Sequence, residues 1–355
     1  MRKSLPLCKK SKTENNSGDA VPLDIVTEVL NRLPAKSVAR FMLVSKSWAR
    51  TIRSKCFIRW FPFGSSTQPL HLLLAFKHKA IDTGHRRCRF FSSPSLSFPS
   101  TSIELPTSFL SKIKWPPHQN DSLIECPTYY VKGLVCVGEV ICNPCTGKFI
   151  TLPSFEADIS TRFERFFGYD PVNDEYKVLL MGKPFEVPME DPWPDFRVFT
   201  LGAKQEPWRE IHCSVPHRPY SRGECIDGAV VSEDIRHWDG AVPTTLVNYH
   251  GKVAAAIEPV RDESTIHLFV FEEGKQGFHE RSFHNLPYLP LDMKGINRMG
   301  EAIFAPTVQN GAARVIRYDL KGASCETNTI KFSEYSNWST EAMYFVDYVE
   351  SLMLL

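Results

Sequence analysis

No run of about eighteen apolar residues occurs anywhere in the 355-residue chain, which argues against a membrane-spanning helix. Residues 1–17 lack the apolar stretch of a secretory signal, so the cytoplasm and/or nucleus is the expected location. Ten cysteines over this length are too sparse for a disulfide scaffold, and a reducing compartment keeps them as thiols. An excess of one charge sign is missing too. The 42 Lys and Arg against 40 Asp and Glu leave a net +2, which gives no electrostatic case for a nucleic-acid partner. No Gly-x-Ser-x-Gly elbow, phosphate loop or dinucleotide fingerprint appears, so the sequence names no catalytic residue and no cofactor.

What is present begins at residue 20. Leu23, Val26, Leu30 and Leu33 recur at helical spacing, Ile25 and Val29 add a second apolar row, and Asp24, Glu28 and Arg32 take the remaining face. Pro22 suits a first helical turn, Pro34 stops the helix, and Ser37 is the expected cap of a second helix carrying Val38, Phe41 and Met42. Val44, Trp48 and Ile52, four apart, predict a third helix, closed by Phe57, Trp60 and Phe61. Three short helices within residues 20–61 are a unit of the size that usually needs a metal, disulfides or a partner to be stable. No metal-ligand spacing lies inside it, so a protein partner is expected. Ahead of it, residues 1–19 carry Arg2, Lys3, Lys9, Lys10 and Lys12 among polar residues and read as a disordered basic tail.

These residues resemble the F-box, the helical module by which substrate adaptors of SCF ubiquitin ligases dock on a Skp-family adaptor and through it on a cullin. The resemblance is carried by Val21-Pro22 through Leu33-Pro34, then Lys36 to Phe41, then Val44-Ser45-Lys46-Ser47-Trp48. Val21 departs from the usual Leu, and Lys55-Cys56-Phe57 lacks the proline often found before that phenylalanine. The resemblance implies a docking core of Leu23, Ile25, Val26, Val29, Leu30, Leu33, Val38, Val44 and Trp48, with Pro22 and Pro34 setting helix ends and Lys46 at the rim. Some of these must also pack the bundle itself. Replacing Leu30 and Leu33 by Asp is the test that this sequence pattern suggests.

Residues 62–69 form a turn-rich linker, and from 70 to 355 the pattern changes to apolar runs separated by turn clusters, as strands read. Leu70–Phe76 and Arg89–Phe91 come first, the Ser- and Pro-rich 94–127 reads as a surface wrap, and hairpins then recur. They run 140–153, 166–180, 196–211, 246–257, 266–283 and 303–330, with Trp or Phe on return strands. Such repetition predicts a propeller-like or other repeated-sheet architecture, because radial repetition leaves few open edges. The expected fold is therefore α+β multidomain, a three-helix headpiece followed by an all-β repeated-hairpin domain. Gly133–Cys136, Asn143–Pro153 and Gly168–Val178 resemble the F-box-associated domains common in plant F-box proteins, with 246–252 and 345–353 also similar. That family carries a further pair of strands between Gly228 and Pro243, where only fourteen residues (229–242) remain here, so either an incomplete sheet or a sequence truncated at that point is expected.

Three constellations bear on chemistry. Cys142-Asn143-Pro144-Cys145, with Cys126 and Cys136 upstream, has the spacing of half a zinc site, but Asn-Pro followed by Gly147 is turn chemistry and buried cysteines are expected. His71, His78, His85 and Cys88 match no ligand spacing. Glu190-Asp191-Pro192-Trp193-Pro194-Asp195 reads as an exposed loop rather than an acid/base pair. The expected function is a non-catalytic substrate adaptor whose β domain holds an unidentified target. The alternatives are an enzyme with its site in a propeller-like channel, or a binding module outside any ligase.

Overall fold

The computed structural model describes residues 22–61, 71–79, 86–94, 107–115, 128–155, 161–184, 195–203, 207–212, 223–226, 229–231, 244–257, 265–271, 278–283, 292–306, 308–309, 312–322, 324–331 and 340–353. The expected tail at 1–19 and the linker at 62–69 lie outside these residues, as do Cys126, His85 and 190–194. Among the described residues no helix is long and apolar enough to cross a membrane.

Four helices open the chain, α1 (Leu23–Asn31), α2 (Ala35–Phe41), α3 (Lys46–Ile52) and α4 (Lys55–Trp60). The fourth is additional to the sequence expectation. Ser54 makes it possible, its side chain accepting the Phe57 N–H as an N-cap. Ser45 caps α3 in the same way through Trp48 N–H, so Val44 precedes the helix instead of starting it. Ser37 does not cap α2 as expected, because Pro34 already occupies the capping position and Ser37 N–H bonds to Pro34 O. Proline's fixed φ suits entry into a helix, which lets it begin three residues early.

The rest is β-structure. In chain order come β1 (His71–Lys79), β2 (Arg86–Pro94), β3 (Ser108–Trp115), β4 (Thr128–Val131), β5 (Leu134–Val137), β6 (Val140–Cys142), β7 (Phe149–Thr151), β8 (Thr161–Asp170), β9 (Glu175–Pro184), β10 (Asp195–Thr200) and β11 (Arg209–Glu210). They continue as β12 (Glu224–Ile226), β13 (Ala229–Val231), β14 (Thr244–Tyr249), β15 (Lys252–Ile257), β16 (Ile266–Phe271), β17 (Phe278–Phe283), β18 (Asp292–Ile296), β19 (Glu301–Ala305), β20 (Val308–Gln309), β21 (Ala312–Asp319), β22 (Ser324–Lys331) and β23 (Thr340–Tyr348). Strand β3 falls inside the stretch read from sequence as a wrap. Its alternation of buried Ile113 and Trp115 with exposed Lys112 and Lys114 is that of a half-buried strand.

The antiparallel sheets are the blades of a five-bladed propeller: β23-β1-β2-β3 with the short β20, β4 to β7, β8 to β11, β14 to β17, and β18-β19-β21-β22. The last strand closes the ring onto the first, Leu73 standing opposite Phe345 and Ala75 opposite Met343. Between the third and fourth full blades lies a two-stranded sheet, β12-β13, its inner strand wedged between β8 and β14. A Cβ on Gly168 would come within 2.7 Å of Cys225 Sγ, so the close approach of β8 to β12 requires glycine there. From β5 to the next inner strand β8 the chain has 23 residues (138–160), whereas from β13 to β14 it has 12 (232–243). Two outer strands and their turns do not fit so short a span, which accounts for the half-blade.

Apolar packing joins blade to blade. One core lies between the β4–β7 and β8–β11 blades around Tyr129, Ile141, Phe167 and Tyr176, and another between the last two blades around Leu268, Phe304 and Tyr318. The largest also takes in the helices: Val26, Leu30, Ala35, Val38, Ile52, Phe57 and Phe61 share it with Leu73, Phe90, Ile113, Trp115, Val135, Cys145 and Leu352. The helical headpiece is thus seated on the first two blades. Polar contacts fix its seat, Ala35 N–H donating to Glu350 Oε2 at 2.5 Å and Lys36 Nζ to Phe109 O at 2.8 Å.

Candidate functional site

The helical headpiece concentrates what is unusual about this surface. Nine large apolar side chains are exposed among the described residues, and four of them, Ile25, Val29, Leu43 and Val44, fall within residues 22–61. On α1 the two apolar rows part company. Val26 and Leu30 turn into the shared core, Leu30 wholly buried, while Ile25 is 54% exposed and Val29, one turn on, 49% exposed. Fully burying an aliphatic side chain is worth about 1.5–3 kcal/mol, so leaving these two in water forgoes a large stabilisation. Beside them Glu28 and Arg32 form an exposed i,i+4 ion pair at 2.7 Å.

The other expected docking residues divide in the same way. Val38 is fully buried, Leu33 and Trp48 are half-buried, and Pro22, Pro34, Val44 and Lys46 are exposed. Trp48 stacks on Phe41 with ring centroids 5.1 Å apart, so its ring braces α2 against α3. The side chain of Leu23 lies outside the described residues. Leu43, 89% exposed in the turn after α2, was not anticipated, although its place between Met42 and Val44 makes a third consecutive apolar residue that a short helix cannot hide.

The Cys142–Cys145 pair belongs to the architecture. Cys142 Sγ donates to Val135 O at 3.4 Å, and Cys145 Sγ lies 2.8 Å from Tyr348 OH. Between them Asn143 Oδ1 accepts the N–H of Cys145 and of Thr146, and its Nδ2 donates to Ser351 O and Met353 O, each at 3.0 Å. The turn therefore clips the C-terminal segment to the second blade. Burial pushes the Cys145 thiol up to about 12 and Cys142 well above its ordinary value, so both stay protonated at neutral pH. Among the described residues no group of three or more His, Cys, Asp or Glu is placed to hold a metal. In the native protein, Cys325, which is exposed, should be alkylated, though slowly for a surface thiol because partial burial and the Glu326 carboxylate hold it above its ordinary value, while Cys142 and Cys145 should react only on unfolding; mass spectrometry after timed alkylation checks this.

The remaining titratable groups are placed by packing. Burial holds His71 below the ordinary imidazole value, with the nearby Glu350 carboxylate opposing it. Cys88 is fully buried on β2, away from His71 at the start of β1. Asp195 pairs with Arg197 through two 3.0 Å hydrogen bonds. Asp347 is raised mainly by burial and accepts the Arg298 N–H at 2.8 Å.

Residues 20–60 match the family model for the F-box domain, and residues 71–232 match that for the F-box associated beta propeller domain. An Arabidopsis thaliana F-box protein is 34% identical across the whole of both chains. A second from the same plant is 35% identical over 84% of this chain and 86% of its own, and a third 32% identical over 96% and 94%.

Proposed function

Because this chain belongs to the F-box proteins that carry an F-box-associated β-propeller domain, we propose that it is the substrate-recognition adaptor of an SCF-type ubiquitin ligase. The exposed Ile25 and Val29 on α1, with Leu43 and Val44 in the following turn, dock on a Skp-family adaptor and through it on a cullin. Pro22, Pro34 and Lys46 lie at the margin, exposed as a rim contact requires. Val26, Leu30 and Val38 act from beneath, holding the helices to the propeller rather than touching the partner. Leu33 and Trp48, half-buried, serve both surfaces.

The single observation that supports this most is the split of α1 into a sealed row and an open row. A headpiece that served only its own chain would have no reason to leave Ile25 and Val29 half in water while Val26 and Leu30 beside them are buried. The propeller, seated on those helices by a shared core, then presents a target protein at a fixed offset from the ligase. Catalysis is left to the ubiquitin-conjugating enzyme, and this chain contributes proximity. The work would be done in the cytoplasm or nucleus.

The test is co-expression of the full chain with a Skp-family protein and a cullin. Stoichiometric co-elution through size exclusion is the expected result. A headpiece that stays folded yet recovers neither protein would overturn the adaptor reading and leave the ligase-independent binding module and the enzyme.

A further inference from the structure

We infer that the outer edge of the first blade is a capture site for an extended acidic segment of polypeptide, one with Asp or Glu at alternate positions. The site is built on β2 and β3. Arg87 stands directly opposite Lys114 and Arg89 opposite Lys112, so four cations share one face of two adjacent strands. The other face is committed: Cys88, Phe90, Ile113 and Trp115 are buried in the core shared with the helices.

Like charges placed directly across a strand pair destabilise it, and here two such pairs lie in adjacent rows. None of the described ion pairs includes Arg87, Lys112 or Lys114. The buried Arg87 Nε has no hydrogen-bond partner. Lysines on an outermost strand are a common guard against unwanted strand pairing. That guard would explain Lys112 and Lys114, but Arg87 and Arg89 sit on β2, which is already paired on both sides. A guard of this kind repels a basic strand and attracts an acidic one.

The geometry suits an added strand. Lys112 and Lys114 are two residues apart on an extended strand, about 6.6–6.8 Å, which is also the spacing of alternate side chains on an incoming one. Among the described residues nothing pairs along the far side of β3, apart from Lys36 Nζ at Phe109 O near its start. Phe109, half-exposed and edge-on to Phe91 at 5.5 Å, adds apolar surface beside the cations. Polypeptide is favoured over nucleic acid because the cations form one local row on a chain whose net charge is only +2. The inference rests on the adaptor reading only in taking the segment to be part of a target. It would put that target on the blade where the F-box helices are seated.

The probe is a fluorescein-labelled peptide of alternating Glu and Val, compared with a Gln and Val counterpart and measured by anisotropy against the full chain. The Glu peptide should bind and weaken as salt is raised, and the Gln peptide should not bind. Lys112→Glu with Lys114→Glu should cut affinity at least about tenfold, and Lys112→Gln with Lys114→Gln should cut it less. Both side chains are exposed and both changes relieve the like-charge pairs with Arg87 and Arg89, so neither variant should melt below wild type and both should still co-elute with a Skp-family protein. Equal binding of the Gln peptide, unchanged affinity in the Glu variant, or displacement of the peptide by a single-stranded oligonucleotide at equal concentration would each overturn the site. Loss of Skp co-elution by the wild type with peptide binding intact would instead overturn only the adaptor reading.

Discussion

Ile25→Asp combined with Val29→Asp is expected to abolish recovery of a Skp-family adaptor while leaving the melting temperature close to that of wild type. Each side chain is about half exposed, so a carboxylate there stays hydrated in the free protein and costs the fold little. In the complex it would replace the burial of the exposed half of an aliphatic side chain, about 0.8–1.5 kcal/mol, so the pair should lose at least about 1.5–3 kcal/mol, roughly 10–10²-fold in affinity, before the desolvation of the two carboxylates is added. Leu30→Asp should also lose the adaptor, for a different reason. Leu30 is wholly buried in the core common to the helices and the first two blades, and a lone carboxylate there adds a desolvation penalty to the loss of a large apolar group. That exceeds about 4 kcal/mol, enough to unfold the headpiece of a marginally stable chain. The Leu30 and Leu33 substitution that the sequence suggests is therefore the wrong test, since Leu30 reports on folding. Calorimetry beside the pull-down separates the two variants. If Ile25→Asp with Val29→Asp still recovers the adaptor at wild-type yield, docking does not use α1.

The sequence carries the elements of this molecule more plainly than their assignments. Helical spacing places α1 because apolar residues recur every three or four positions, but both of its rows are aliphatic. Which row faces the propeller depends on where Leu73, Phe90 and Trp115 come to lie, and they are 40 to 85 residues further on. The hairpins were legible for a local reason: a two-residue turn such as His250–Gly251, with φ of 53° and 83°, is written in adjacent residues. Strand β3 was not legible, because Ser and Pro crowd the preceding segment and hide an alternation that is clear only between 110 and 115. The half-blade at β12-β13 was anticipated from a length, since two further strands do not fit in the residues available. The basic row was hidden altogether. Arg87 and Lys114 are 27 positions apart and meet only through the register of β2 with β3, while the balanced net charge conceals them.

Ending the chain at Val349 is the second change with a large expected effect, and it follows from how the C-terminal segment is used. Strand β23 would survive, so the ring would remain closed through its pairing with β1. Four things would be lost beyond it. Leu352 leaves the shared core, at a cost of about 2–5 kcal/mol for a buried leucine removed. Asn143 Nδ2, buried, loses both of its acceptors, Ser351 O and Met353 O, a penalty of about 1–3 kcal/mol. Ala35 N–H, an orphan donor in the first turn of α2, loses the Glu350 carboxylate that satisfies it. Ser351 no longer packs under the Lys132–Gly133 turn, where a Cβ on Gly133 would come within 2.4 Å of it. The Leu352 and Asn143 losses sum to about 3–8 kcal/mol, and the larger of them, with the Glu350 bond to Ala35, falls at the junction between helices and propeller. The truncated chain should therefore release the helices first: limited proteolysis should cut between residues 61 and 71 much faster than in wild type, while the blades unfold later. Glu350→Gln keeps an oxygen for Ala35 N–H and should cost under about 1 kcal/mol. If truncation leaves both the melt and the cleavage rate unchanged, the F-box is not held to the propeller by this strap, and the fixed offset between ligase and target loses its structural basis.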